Sequence, residues 1–352
     1  MHHRFWHLIL VSITPYAQGI PNPSNCKDVE IPVPVSVPRF NIDVVVEDEW
    51  DTAALTSNLT RRDAGNTTSP LPIAGMTPAP TPSNFTVAAT LCGSGCTVLI
   101  LTHGIIESKL YWHPNFKGAD RYSFIDATIA AGYSVLSYDR IGVGSSSKVE
   151  GLFDAQFQVE TAVLGYLTAY ARGTMAAKKV ALVGHSYGAY LSAGSANHSA
   201  VDAVVLTGFS GIFDYFAPFV AGAGLRVAKL QDPKRWRSLD STYLTSSDLF
   251  AETYIASEPF AIGELLSLLA SYNGFHGVTA PILVLQGQFD VSACGSNCVD
   301  ILDEETLRKK VFKTAKSIEL FNDLPAGHNL NLHKVAPRAF ELLFQFLKGH
   351  GI

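Results

Sequence analysis

The chain has 352 residues, a formal net charge of -5, 47% hydrophobic residues and 16% charged residues. That apolar content excludes an intrinsically disordered chain, and the interspersed charges lack the basic stripe that nucleic acid requires, so no nucleic-acid partner is expected. A chain this long buries a sizeable core, as one large domain or two smaller ones, and a small uncharged ligand suits its charge balance best.

The first residues, "MHHRFWHLILVSITPYAQG", set His2, His3 and Arg4 before an apolar run from Phe5 to Ile13, with Ala17 and Gly19 after it. This is the layout of a secretory signal peptide over residues 1 to 19. The run is short for a bilayer span, and no other segment reaches about 20 apolar residues, so no integral membrane segment is expected. Residues 20 to 84 are rich in Pro, Ser, Thr and Asn and are expected to form an extension ahead of the folded domain. Within it, "IPVPVSVPRF" is unsuited to a helix, "NIDVVVEDEW" fits one strand, and "PLPIAGMTPAPTPSN" reads as an extended linker. Acceptor triplets for N-glycosylation begin at Asn58, Asn66, Asn84 and Asn197, which accords with a secreted protein. Two close cysteine pairs, Cys92 with Cys96 and Cys294 with Cys298, are expected to close small disulfides across glycine-containing turns. The rival reading is a four-thiolate metal site, although these spacings depart from the usual zinc patterns. Cys26 is left alone, either free, paired to another chain, or lost on processing.

From Phe85 to the C-terminus the pattern becomes regular. "FTVAAT" and "CTVLILTHG" read as strands joined by Cys-Gly-Ser-Gly-Cys, followed by a helix near 121 to 131 and the strand "YSVLSYDR". A glycine-rich loop leads to the helix of "DAQFQVETAVLGYLTAYARG", with Asp154 able to cap its start and Gly173 its end. "KKVALVG", a small-residue helix, "VDAVVLTGF", "PILVLQG", a helix near 304 to 312, "KSIELF" and a closing helix near 335 to 347 complete the series. Apolar strands alternating with helices predict an α/β architecture, a mostly parallel central sheet with helices on both faces. Residues 210 to 277 break the alternation with helical pattern and many aromatic residues, and are expected to form a helical cap inserted over the strand ends.

"GHSYG", Gly184 to Gly188, follows an apolar strand and opens the small-residue helix. That is the setting of a nucleophile elbow, in which Ser186 occupies a sharp turn and projects its hydroxyl from the sheet. Glycines two before and two after leave room where a Cβ would collide, and the helix N-terminus allows the N–H of Tyr187 to hold a developing oxyanion.

With "LTHG" after one strand, "YDRIGVGSS" after the next, "GHSYG" after the third, and an Asp and a His after late strands, the region from Phe85 onward resembles the α/β-hydrolase family, of the serine-esterase type. The resemblance implies a nucleophile, acid and base in that chain order. It places the acid at Asp290, ending "PILVLQGQFD", and the base at His328, in "LPAGHNL". It implies that Ile105, in "THGI", supplies the second oxyanion N–H, and that His103, Gly104 and His185 shape the pocket. Asp214, after "VVLTGF", is the rival acid, and Asp139 and Arg140, in "YDRIGVGSS", are expected to brace the loops by ion pairing rather than touch substrate. Ile105 and Ile106 follow Gly104 where one esterase branch carries further glycines, which suggests the branch with small-molecule esterases, lactonases and lipases. No phosphate loop, metal triad or nicotinamide fingerprint is visible, so no cofactor or metal is expected.

The function expected is therefore a secreted serine hydrolase that cleaves an apolar or aromatic ester or lactone through an acyl-enzyme. The same residues could transfer the acyl group to an alcohol or amine, or close a ring, in natural-product biosynthesis. A non-catalytic secreted binding protein on a hydrolase scaffold is the alternative of another class.

Overall fold

The computed structural model describes residues 26–63, 71–246 and 258–352. The expected signal peptide, Asn66, and Phe250 and Tyr254 among the aromatic residues of the expected cap lie outside these residues. An eight-stranded sheet forms the centre, in the spatial order β1-β4-β6-β5-β7-β8-β12-β13. Its strands are β1 (Cys26–Val37), β4 (Thr81–Cys92), β5 (Thr97–Thr102), β6 (Ser134–Tyr138), β7 (Lys179–His185), β8 (Ala203–Thr207), β12 (Ile282–Gly287) and β13 (Ile318–Leu324). From β6 to β13 all neighbours pair in parallel, and β4 alone runs antiparallel to those beside it. The inner strands are apolar along their whole length because helices cover both faces; in β12 every residue is buried. Helices α2 (Phe124–Ala130), α3 (Phe157–Gly173) and α4 (Tyr187–Ala196) belong to these layers, together with the closing helix Ala336–Gly349. The α3 helix starts after Gln156, three residues into the expected segment, so Asp154 is not its cap.

The N-terminal region departs from expectation. Residues 26–37 are the edge strand of the main sheet rather than part of a separate extension, and pair in register along all of β4. Ile31, Val33 and Val35 are buried while Glu30, Pro32 and Pro34 are exposed. Prolines two residues apart turn their missing N–H positions to the same unpaired side, which an edge strand tolerates. The stretch "NIDVVVEDEW" gives only a short strand, β2 (Phe40–Ile42), which pairs with β3 (Ile73–Met76). Its end enters helix α1 (Glu49–Asp63), where Asp48 accepts from the N–H groups of Trp50 and Asp51 at 2.8 and 3.1 Å. Helix α1 then packs on the cap.

The disulfides differ likewise. Cys92 pairs with Cys26, not with Cys96, because β1 sets Cys26 directly opposite Cys92 with 4.1 Å between their Cα atoms. Cys96 is exposed and free. The glycines beside it serve packing instead: a Cβ on Gly95 would lie 2.3 Å from the Gly132 carbonyl oxygen. Cys294 and Cys298 form the second disulfide, as expected, around Gly295 in the left-handed region.

The cap between 210 and 277 is not purely helical. It holds α5 (Phe216–Gly222), shorter helices and the helix Ile262–Ser271, together with a small antiparallel sheet of β9 (Arg226–Val227), β10 (Tyr243–Thr245) and β11 (Phe260–Ala261). Among the candidate glycan sites, Asn58 and Asn84 are exposed, whereas Asn197 is half-buried and its amide oxygen accepts from the Gly277 N–H at 2.6 Å. Among the described residues, no helix is long and apolar enough to cross a membrane.

Candidate active site

Strand β7 ends at His185 and helix α4 begins at Tyr187, so Ser186 makes the whole turn between them. Its φ of 54° is in the left-handed region, a conformation that costs a non-glycine residue about 1–3 kcal/mol and persists where the surroundings enforce it. The glycines of the motif allow the enforcement. A Cβ on Gly188 would lie 2.2 Å from the Thr102 carbonyl oxygen, and one on Gly184 would lie 2.2 Å from the Gly188 carbonyl oxygen. Helix α4 can therefore press against β5 and β7 only without those side chains.

His328, in the loop after β13, joins the turn to β12. Its Nε2 lies 2.8 Å from Ser186 Oγ and its Nδ1 lies 2.8 Å from Asp290 Oδ2. The other expected acid, Asp214, is exposed in the cap. Asp290 is fully buried, and each of its oxygens is occupied: Oδ1 accepts from the Ala293 N–H at 2.9 Å, and Oδ2 accepts also from Gln286 Nε2 at 2.5 Å. Burial alone would raise this carboxyl, but the adjacent His328, the Ala293 N–H and His185 hold it below the usual Asp value. An ionised Asp290 places the imidazole proton on Nδ1 and leaves Nε2 to accept from the serine hydroxyl. Burial opposes the imidazolium at His328, yet the Asp290 charge, its hydrogen bond and Glu107 together raise that group above 6.5.

The remaining candidates fall into two groups. Ile105 and Tyr187 line the cavity in front of Ser186 and His328. Gly104 must lack a side chain because a Cβ there would lie 3.0 Å from that of Ser186. His103 and His185 are fully buried and are held by hydrogen bonds. His103 Nδ1 donates to the Gly104 carbonyl at 2.8 Å, while its Nε2 accepts from the Arg140 N–H at 3.1 Å. His185 lies 3.0 Å from Thr207 Oγ1 and 3.1 Å from Asn329 Oδ1, and stacks on Tyr111 at 4.4 Å. Burial and the neighbouring His328 push His185 down to about 3, so it stays neutral. The cavity itself is walled mainly by apolar groups, among them Tyr190, Ile212, Phe213, Phe219, Leu265 and Leu268, most of them from the cap.

Sequence reasoning missed several buried polar residues around this site. Glu107 accepts from the Gly104 N–H at 2.7 Å and lies 3.6 Å from His185; burial drives its carboxyl up to about 7 against that N–H, His328 and Arg140. It closes a turn in which Ile106, a β-branched residue, takes a φ of 53°. Gln286 links Asp290 to the Phe209 N–H, which it accepts at 2.9 Å. Arg140 does brace by ion pairing, as expected, but its buried partners Glu160 and Glu264 were not foreseen, and Asp139 accepts from the N–H groups of Lys109 and Ser145. The signal available was a charged residue within or beside an apolar or glycine-rich segment, which marks a buried pair without naming its partner.

The sheet order, the turn after β7 and the acid and histidine after later strands define a hydrolase-type α/β scaffold. Residues 99–338 match the alpha/beta hydrolase family, and the chain belongs to it. Among solved structures, an epoxide hydrolase A from Mycobacterium thermoresistibile is similar over 75% of this chain and 95% of its own, at 20% identity and a TM-score of 0.51. A thermophilic esterase from Thermogutta terrifontis covers 77% of this chain and 96% of its own, at 17% identity and a TM-score of 0.51. An epoxide hydrolase from Vigna radiata covers 75% and 95%, at 14% identity and a TM-score of 0.51. At such identities the likeness concerns the fold. No curated protein sequence matches the chain.

Proposed function

We propose that the protein is a secreted serine hydrolase acting on apolar or aromatic carboxylic esters or lactones, with Ser186 as nucleophile, His328 as base and Asp290 as the acid that orients it. The observation that carries this reading is the unbroken hydrogen-bonded chain from Ser186 Oγ through His328 to the buried Asp290, each step 2.8 Å long. Ser186 attacks the carbonyl carbon as His328 Nε2 takes the hydroxyl proton. The N–H groups of Tyr187 and Ile105 receive the oxyanion, and His328 returns the proton to the leaving alcohol. Water then repeats the sequence and releases the acid.

Chemistry favours an acyl substrate over an epoxide. A serine oxygen that opens an epoxide ends as an alkyl ether, which offers water no carbonyl to attack, whereas an acyl-serine hydrolyses. The apolar cavity walls suit an uncharged acyl or aryl group. Two disulfides and the charged-then-apolar N-terminus support an oxidising, extracytoplasmic setting. The test is hydrolysis of p-nitrophenyl esters of graded chain length and of lactones, with fluorophosphonate labelling, in wild type and Ser186→Ala. Loss of both turnover and labelling in the variant is expected; turnover that survives the substitution refutes the assignment.

A further inference from the structure

The cluster around Arg140 has no part in the chemistry above, yet it touches Gly104 and Tyr187 beside both proposed oxyanion donors and reaches a helix that walls the cavity. Arg140, Glu160 and Glu264 are all essentially inaccessible to water, and they come from three separate elements. Arg140 follows β6, Glu160 lies on α3, and Glu264 lies in the first turn of the cap helix Ile262–Ser271. Arg140 Nη1 donates to Glu160 at 2.9 Å and to Glu264 at 2.6 Å. Its Nη2 donates to the Gly104 carbonyl oxygen at 3.3 Å, an oxygen that also accepts from His103 Nδ1. Its guanidinium carbon lies 4.9 Å from the centre of the Tyr187 ring.

The geometry at Gly104 gives these contacts their consequence. The Gly104 carbonyl and the Ile105 N–H belong to one planar trans peptide, so fixing the oxygen on one side fixes the direction of the N–H on the other. Arg140 thus holds the peptide that carries one oxyanion donor and packs on the side chain of the residue that carries the second. Through Glu264 it also holds the helix whose Leu265 and Leu268 wall the cavity. That helix is set firmly on the core at the same end: a Cβ on Gly263 would lie 2.3 Å from the Gly151 carbonyl oxygen, and Ser267 Oγ accepts from the Phe157 N–H at 2.8 Å. An ionic cluster removed from water is costly to build, and its directional hydrogen bonds fix the geometry of the groups it joins.

We propose that Arg140 is a positioning residue of the oxyanion site, and that Glu264 ties it to the cap helix so that the acyl pocket and the oxyanion peptide are held as one unit. This rests on Ser186 being the nucleophile. An oxyanion donor acts in the transition state, so its misplacement lowers kcat and weakens transition-state analogues while leaving ground-state binding in place.

The test compares wild type, Arg140→Lys and Glu264→Gln with p-nitrophenyl acetate, a longer-chain ester, and an alkyl trifluoromethyl ketone that a serine nucleophile converts to a hemiketal anion. For Arg140→Lys, kcat and ketone affinity are expected to fall together by about 10- to 100-fold, with KM for the acetate within about twofold. Glu264→Gln keeps the volume and the oxygen that caps the Ala261 N–H, and carries the test if Arg140→Lys does not fold. It is expected to lower both quantities by about 3- to 10-fold and to blunt the preference for the longer acyl chain. The acid limb of the pH profile should stay in place in both variants, since His328 and Asp290 are untouched. If Glu264→Gln binds the ketone and turns over acetate within about twofold of wild type, the cluster is structural only and the proposal is overturned. If the ketone fails to inhibit wild type, the serine-nucleophile reading has failed instead.

Discussion

The turn at Ser186 and the cap above it sit on opposite sides of one cavity and are built by different rules. At the turn, backbone meets backbone: glycines have no space for a Cβ, Ser186 and Ile106 occupy the left-handed region, and substitutions have nowhere to go. In the cap, side chain meets side chain. Phe213 and Tyr272 pack at 4.7 Å, and Tyr272 and Phe275 at 5.4 Å, beside Tyr190 at 5.3 Å from Phe213. Such contacts tolerate exchange among apolar residues of similar volume. The contrast separates a rigid region that holds the proposed nucleophile from an adjustable one that walls the cavity, joined at Arg140.

The largest effects are expected at the turn. Ser186→Ala is expected to lower ester hydrolysis by about 10,000-fold or more, measured as kcat/KM, while leaving the melting temperature near wild type. Next is Gly188→Ala, whose Cβ would meet the Thr102 carbonyl oxygen at 2.2 Å. It should cost about 3 kcal/mol or more by denaturant unfolding, and a cost under about 1 kcal/mol would contradict the close approach.

Covalent staples come third. Cys26→Ser releases β1 from β4 and is expected to cost about 2–4 kcal/mol, whereas Cys96→Ser should change nothing measurable. The reverse pattern, a cost from Cys96→Ser and none from Cys26→Ser, would point to a Cys92–Cys96 pairing instead.

The pH response follows, and its two parts oppose each other. Glu107 is a buried carboxyl raised from 4.5 to about 7, chiefly by burial. A raised folded value means that the folded chain holds a proton the unfolded chain has lost, so this stability is present below 4.5 and is lost as pH rises through 7. His328, raised above 6.5, adds to the same trend. Asp290, lowered below 3.8, gives stability that disappears only in stronger acid. The lowered His185 and His103 oppose this trend below 6.5, so melting temperature should fall as pH rises above 6.5, and a rise there would overturn the assignment. Turnover should move the other way, increasing as His328 loses its proton above 6.5.

The smallest effect sharpens the contrast from the cap side. Gly222, at the end of α5, has nothing within 4 Å of an added Cβ and no positive φ. Gly222→Ala should stabilise by about 0.5–1 kcal/mol with unchanged kcat.

Much of the fold was legible in the chain because parallel strands buried on both faces must be continuous apolar runs. The turn at Ser186 was legible for a related reason: local backbone geometry demands glycine at fixed offsets. Asp290 and His328 could be named as candidates from their places after late strands. The sequence was least legible where a residue's partner lies far along the chain. The Pro-rich stretch at 31–40 gave no sign that β4 was waiting for it, and hence none that Cys26 faces Cys92 across 66 residues.

By itself, the sequence determined the α/β alternation, the inserted segment and the serine turn, since each depends on periodicity or on residues a few positions apart. Tertiary structure decided the rest. It set the disulfide partner of Cys92, joined β1 to the sheet, gave the cap its small sheet, and brought Arg140 against Glu160 and Glu264 over separations of 20 and 124 residues. A charge can be buried only against a partner, and the partner is chosen by how the packed layers meet rather than by anything adjacent in the chain.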